Sequence, residues 1–168
     1  VNQNKGTQVP APKNQNCSGS IGFVPEVPTH FHHGSMGGYF TYQEFLSELD
    51  EMVAAYPGLI TVKAPISTFT TIGNRPIYFV KISDNPSSDE TEPEVLYTAI
   101  HHAREPESLS QLIFYMWYLL ENYASSEEIA YLINNTEMYF VPMINPDGYV
   151  YNQTTDPNGG GKKKKNRR

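Results

Sequence analysis

The sequence is short of cysteine, of long apolar runs and, over most of its length, of positive charge. A single cysteine, Cys17, rules out a disulfide within the chain and a cysteine-based zinc site, and leaves the redox compartment open. No apolar run approaches the ~20 residues that a membrane-spanning helix needs, so no span is expected. Six of the 12 Lys and Arg residues are packed into Lys162-Lys163-Lys164-Lys165-Asn166-Arg167-Arg168. Everything before that tail therefore carries 6 basic against 18 acidic residues, a formal −12. An acidic body with no spread of Lys and Arg among aromatics argues against nucleic acid as a partner. The chain opens on Val1 with neither an initiating methionine nor an n-region or h-region, and the expectation is that what precedes Val1 was processed away or left out of this sequence.

What is present is enough for one folded domain. At 168 residues, 39% hydrophobic and 12% aromatic, the chain can bury a sizeable core. Residues 1–36 are rich in Pro, Gly, Asn, Gln and Ser and read as a weakly structured leader or linker, with His30, His32 and His33 in a polar loop. Residues 37–168 form the domain. Its first helix is well marked: Thr41 and Glu44 make a capping-box pattern, Phe40 and Phe45 a hydrophobic staple, and Pro57-Gly58 a stop. Phe45, Leu46, Leu49, Met52, Val53 and Tyr56 form its core-facing stripe.

Two strand-like runs follow, Leu59 to Ile66 and Pro76 to Ile82, joined through Thr70-Thr71-Ile72-Gly73-Asn74 as a hairpin. After a polar loop from Asp84 to Pro93, Glu94 to Ile100 reads as a buried strand. Leu109, Leu112, Ile113, Met116, Leu119 and Leu120 then recur at helical spacing to about Tyr123. A second helical piece spans Ser125 to Ile133, with Glu127 and Glu128 in its first turn, and Met138 to Ile144 is a fourth strand. The crossover between the last two strands is long enough to be helical. This order predicts an α/β fold, an α/β/α sandwich with a mixed sheet.

The chemistry concentrates at Ala99-Ile100-His101-His102-Ala103-Arg104-Glu105-Pro106-Glu107, where the apolar strand runs out. A neutral imidazole and a carboxylate three residues apart, on a strand-to-helix loop, can converge on one zinc ion. The same two residues also fit a surface histidine beside a helix-capping acid. Successive strand residues face opposite sides, so only one histidine of the pair points into a cleft, and the His-x-x-Glu spacing selects His102 over His101. Pro106 suits the first turn of the following helix. Asn145-Pro146-Asp147-Gly148 reads as turn chemistry that shapes a cleft floor.

Four segments occur in the order found in the carboxypeptidase A-like zinc metallocarboxypeptidases, which the chain resembles from about Gly37 onward. They are Gly37-Gly38-Tyr39-Phe40-Thr41-Tyr42, Gly73-Asn74-Arg75-Pro76-Ile77, His102-Ala103-Arg104-Glu105, and Met143-Ile144-Asn145-Pro146-Asp147-Gly148-Tyr149. The resemblance implies hydrolysis of the C-terminal peptide bond of a peptide or protein. His102 and Glu105 would be two of three protein ligands of one Zn2+, with water in the fourth position, and Arg104 would contact the substrate chain. It also implies a third histidine ligand, an Asn-Arg pair, a mobile tyrosine and a glutamate base, none of which is found before Arg168. The chain is accordingly expected to be the amino-terminal part of that catalytic domain, an incomplete sheet with an unprotected edge, marginally stable and inactive alone.

The basic tail departs from the family pattern. Similar bacterial members carry a Trp-Arg-Lys-Asn-Arg-Arg-like string, and alignment on Asn166-Arg167-Arg168 puts Lys164 at the arginine that supports the oxyanion. Lysine keeps that charge without the planar fork; a solvated basic run explains the tail equally well. Arg104 fits equally a surface arginine paired with Glu107. The resemblance further implies a monomer in a secreted or periplasmic setting. Two other function classes stay open: a related zinc hydrolase of small acylated amino acids, and a catalytically silent binding module of the same fold.

Overall fold

A computed structural model describes residues 26–165; Cys17, the rest of residues 1–25, and Asn166-Arg167-Arg168 lie outside the described residues. The chain folds in the order α1 (Tyr42–Ala55), β1 (Ala64–Pro65), β2 (Tyr78–Ile82), β3 (Glu94–Thr98), α2 (Glu107–Asn122), α3 (Glu127–Ile133), β4 (Glu137–Val141) and α4 (Pro146–Thr155). The strands form one mixed sheet in the order β1-β2-β4-β3. β2 pairs antiparallel with β1 and β4, whereas β3 and β4 run parallel across the α2–α3 crossover.

α1 begins where its capping residues place it. The Thr41 hydroxyl accepts the Glu44 amide at 3.2 Å, and the Glu44 carboxylate accepts the Thr41 amide at 2.7 Å. Both orphan donors of the first turn are thereby satisfied. The hairpin of β1 and β2 forms, but the first strand is much shorter than the Leu59 to Ile66 run, with only an isolated bridge from Ile60 to Ile82 ahead of it. Between the Ala64–Phe79 and Ile60–Ile82 pairs the first strand takes four residue steps against three in β2, and the extra residue breaks the ladder.

Register sorts the side chains into two faces. Val80 pairs with Phe140, Ile82 with Met138, and Tyr97 with Phe140, and this face meets the helices. Leu49 and Met52 of α1, Leu109, Ile113, Met116 and Trp117 of α2, Ile133 of α3 and Tyr149 of α4 join it in one buried cluster. The other face carries Phe79, Leu96, Tyr139 and Val141, which border an open depression with Ile66. Leu96 is 64% exposed there. Among the described residues, the second helical layer expected of a sandwich does not cover this face, and β3 stands at a sheet edge paired with β4 alone.

The leader is better ordered at its end than its composition suggests. The His30 ring stacks on Trp117 at 4.7 Å, and the amides of Thr29 and His30 donate to the Glu121 carboxylate at 2.7 and 2.9 Å. Phe31 meets Phe40 and Phe114 edge-on, and Met36 is buried in the core. Residues 29–36 thus belong to the packed unit. Aromatic residues there find aromatic partners on α2, a long-range gain that a local count of Pro, Gly and Asn does not register.

Candidate metal centre

The strand that leads to the motif ends in a forced turn. Ile100 is fully buried and has φ 48°, a left-handed conformation that a β-branched residue adopts at a cost of about 1–3 kcal/mol. Three groups hold it there. Its amide donates to the Ser108 hydroxyl at 3.2 Å, its carbonyl accepts the Asn145 amide at 3.0 Å, and the Ser108 hydroxyl in turn donates to the Glu105 carbonyl at 2.8 Å. The chain leaves the sheet, turns at Ile100, and delivers residues 101–105 as a compact loop at the carboxyl end of β3.

Within that loop His102 and Glu105 face one another. His102 Nδ1 lies 3.1 Å from Glu105 Oε1 and 3.0 Å from Oε2, and the two side chains are 45% and 53% exposed. Two ligand atoms on one tetrahedral zinc, with bonds of 2.0–2.2 Å, stand about 3.3–3.6 Å apart, so a small opening separates this pair from a shared ion. The imidazole nitrogen and carboxylate are a donor set suited to zinc, and both are open to solvent. Among the described residues no third His, Cys, Asp or Glu joins them within 4.8 Å. His101 turns elsewhere, with Nε2 2.9 Å from the Thr98 hydroxyl.

Arg104 is exposed and, among the described residues, forms no ion pair with Glu107 or any other acid. It borders a small cleft with Tyr39, Asn152, Asp156 and the Gly159-Gly160-Gly161 run. Lys164 comes to the motif through its backbone: its carbonyl accepts the Ala103 amide at 3.1 Å and the Asn145 side-chain amide at 3.4 Å. Asn152 completes this seam. Its Nδ2 donates to the carbonyls of Ala103 and Lys163, both at 2.9 Å, and its Oδ1 accepts the Lys163 amide at 2.8 Å.

The segment read as a turn, Asn145-Pro146-Asp147-Gly148, is the start of α4. Asn145 caps it by accepting the Gly148 amide at 3.1 Å, and Pro146 fills the first turn. A Cβ on Gly148 would lie 2.8 Å from the Ala103 Cβ, so only glycine lets α4 lie this close to the motif loop. Asp147 is buried and binds the hairpin turn: Thr71 Oγ1, the Gly73 amide and Arg75 Nη1 each donate to it at 2.8 Å. Burial alone would raise its carboxyl; the Gly73, Arg75 and Thr71 donors outweigh that and hold it below its ordinary pKa.

Ser108 and Asn152 carry no site signal in the sequence; Asn145 and Gly148 read there as part of a turn that shapes the cleft floor, and the structure makes them the cap and the close contact of a helix. Asn followed by Pro is a helix-start signal that was available for Asn145. α4 buries Pro146, Asp147, Gly148, Tyr149 and Asn152, a mixed set with no apolar stripe, so periodicity carried no sign of it.

A family description, zinc carboxypeptidase, matches residues 45–168. The chain belongs to the zinc carboxypeptidase family. It is 33% identical over 138 residues to a zinc carboxypeptidase of Saccharothrix mutabilis subsp. capreolus, across 82% of this chain and 31% of that protein. Among solved structures it is similar to carboxypeptidase A from Helicoverpa armigera, with a TM-score of 0.63 and 27% identity over 80% of this chain and 30% of that one. Thrombin activatable fibrinolysis inhibitor shares the fold, with a TM-score of 0.66 at 22% identity over 79% of this chain and 31% of that one. The chain therefore spans less than a third of the length of the relatives named here.

Proposed function

We propose that the protein carrying this chain removes C-terminal residues from peptides or proteins, with His102 and Glu105 as two of the ligands of one Zn2+. The observation that carries the reading is the convergence of His102 Nδ1 and both Glu105 oxygens at 3.0–3.1 Å on the loop beyond β3, in a chain of this family. When bound, zinc supplies a Lewis acid for the scissile carbonyl and lowers the pKa of a water. The residues of this chain hold and orient. The seam of Ser108, Asn145 and Asn152 fixes the loop from behind, so that imidazole and carboxylate need only a small adjustment of their spacing to share an ion. Arg104, free of acidic partners, presents its guanidinium to the substrate chain, and Lys164 adds positive charge beside the motif. Two metal ligands are fewer than a catalytic zinc requires, and the 168-residue chain alone is inactive. No helix among the described residues is long and apolar enough to cross a membrane; the secreted or periplasmic setting rests on the family.

The test uses the complete protein. Wild type and His101→Ala retain one zinc per chain by elemental analysis and release C-terminal residues from blocked dipeptides, while His102→Ala and Glu105→Ala lose both. Zinc retained by the last two variants refutes the ligand assignment. Zinc with release only from small acylated amino acids transfers the protein to that hydrolase class, and zinc with no turnover makes it a binding module.

A further inference from the structure

The segment that precedes α1 and one face of α2 enclose a cavity of about 460 Å3 that the candidate metal centre does not use. Glu107, Gln111 and Phe114 recur at helical spacing and form one wall, while Phe31, His33 and Tyr39 form the other. The volume is that of a small-ligand site, and the walls are held in place before any ligand arrives. Phe31 meets Phe114 edge to face at 5.2 Å and His33 at 6.0 Å. The amides of Thr29 and His30 tie the incoming chain to Glu121, on the same helix as Phe114. The turn that carries Tyr39 is closed by the Gly34 amide on the Gly38 carbonyl at 3.2 Å and the Met36 amide on the Tyr39 carbonyl at 2.9 Å. Glu107 brings the one carboxylate to this lining, which holds no Lys or Arg. It is exposed, and among the described residues it has neither a hydrogen bond nor an ion pair.

A carboxylate without a counter-charge, beside a pocket walled by aromatic rings, is complementary to a cation on an apolar stem. The same charge disfavours an anion. The chain before Lys162 carries a formal −12, which draws cations toward the protein as a whole. The cavity also adjoins the cleft beside Arg104. Tyr39 lines both, with Met36 and Gly37 as chain neighbours on one side and Pro106 and Glu107 on the other. A peptide held by Arg104 therefore reaches the cavity across Tyr39. We propose that this cavity is a specificity subsite for a Lys or Arg side chain of the substrate, upstream of the scissile bond: Glu107 pairs with the cation, and Phe31, Tyr39 and Phe114 pack on its stem. Gln111, one turn from Glu107, offers its amide oxygen as a second acceptor. The inference rests on the C-terminal peptidase reading above and gives that reading a substrate preference.

Two measurements on the complete, zinc-loaded protein test this. Peptides sharing one C-terminal residue carry a single lysine at successive upstream positions, and each is compared with its norleucine counterpart, which has the stem without the ammonium. At one position or two adjacent ones, the lysine-to-norleucine ratio of kcat/KM is expected to reach about ten, the combined effect of an exposed ion pair and a cation–π contact. Glu107→Gln is expected to bring that ratio to about one and Phe114→Leu to lower it, while Glu128→Gln, on α3, keeps it. Calorimetry with the C-terminally amidated peptides, which present no free carboxyl, is expected to give the same ratios as affinities without turnover. A ratio near one at every position overturns the proposal, as does a ratio that survives Glu107→Gln. Absence of release from every peptide refutes the peptidase reading instead, and the calorimetric ratios then decide whether Glu107 holds the lysine.

Discussion

The Ala103 amide donates to the Lys164 carbonyl across 3.1 Å, so the loop between the two candidate ligands is braced by a segment 61 positions further along the chain. Asn152, on α4, holds both sides of that contact through three hydrogen bonds and is 5% exposed. Its side chain is the hinge pin of the site, reaching the Ala103 carbonyl and the tail together.

Replacing Asn152 by Ala leaves two carbonyls and one amide without their partner. A buried group left unsatisfied costs about 1–3 kcal/mol, and part of this is recovered because the tail can turn its groups to water. Urea unfolding is expected to show a loss of about 2–3 kcal/mol. Zinc titration of the complete protein is expected to show weaker binding by about tenfold, the scale of other supporting-residue effects. Unchanged zinc affinity would mean that the motif loop keeps its shape without the seam.

Asp147 sets an acid limit on stability. Its folded-state pKa lies below the ordinary value of 3.8, so the stability it contributes is fully present above about pH 4 and is lost as pH falls through the depressed value. The Asp147→Asn protein, which keeps the shape but not the charge, is expected to lose about 2–3 kcal/mol at pH 7, because Arg75 is only 28% exposed and loses its counter-ion. Its melting temperature should also vary less between pH 5 and pH 2 than that of wild type. Parallel pH dependence in the two proteins would remove Asp147 as the acid-sensitive group.

What could be read from the sequence follows how local each determinant is. The Thr41–Glu44 capping box and the stripe of α2 are local patterns, and both elements form within two residues of the expected bounds. The His102–Glu105 pairing was legible for the same reason, since three residues on a tight loop suffice to bring the groups together. The positive φ of Ile100 was not, because it is imposed by Ser108 and Asn145 from two other elements. Nor was the order of residues 29–36, which depends on Trp117 and Glu121 some 90 positions away. Tertiary partners decide such segments, and composition does not see them.

Glu48 has the opposite pH behaviour to Asp147. It is 1% exposed and accepts the Trp117 indole N–H at 2.7 Å. Burial raises its carboxyl above the ordinary value of 4.5, against the lowering effects of Trp117 and of His32 at 3.3 Å; Glu51 and Glu44 add to the rise. A raised folded pKa means that its contribution is present below pH 4.5 and is lost as pH rises through the folded value. Glu48→Gln retains an acceptor for Trp117 and removes the buried charge, so it is expected to melt higher than wild type at pH 8 and no higher at pH 4. Calorimetric melts at the two pH values decide it; a lower melt at pH 8 would assign Glu48 a stabilising charge.

Two serines in the first turn of the same helix separate a working hydroxyl from an idle one. Ser108 Oγ accepts the Ile100 amide and donates to the Glu105 carbonyl, whereas Ser110 Oγ is buried with no hydrogen-bond partner among the described residues. Ser108→Ala strands the amide of a residue already held at φ 48°, and the expected cost is about 1–3 kcal/mol by urea unfolding, with weaker zinc binding in the complete protein as Glu105 loses its support. Ser110→Ala deletes an unsatisfied polar atom and is expected to be neutral or stabilising by up to about 1 kcal/mol, with zinc affinity unchanged. The difference between the two variants matters more than either value, because both remove one oxygen from the same helix. Equal effects would mean that the Ile100 turn holds itself, and that the metal loop does not depend on α2 for its shape.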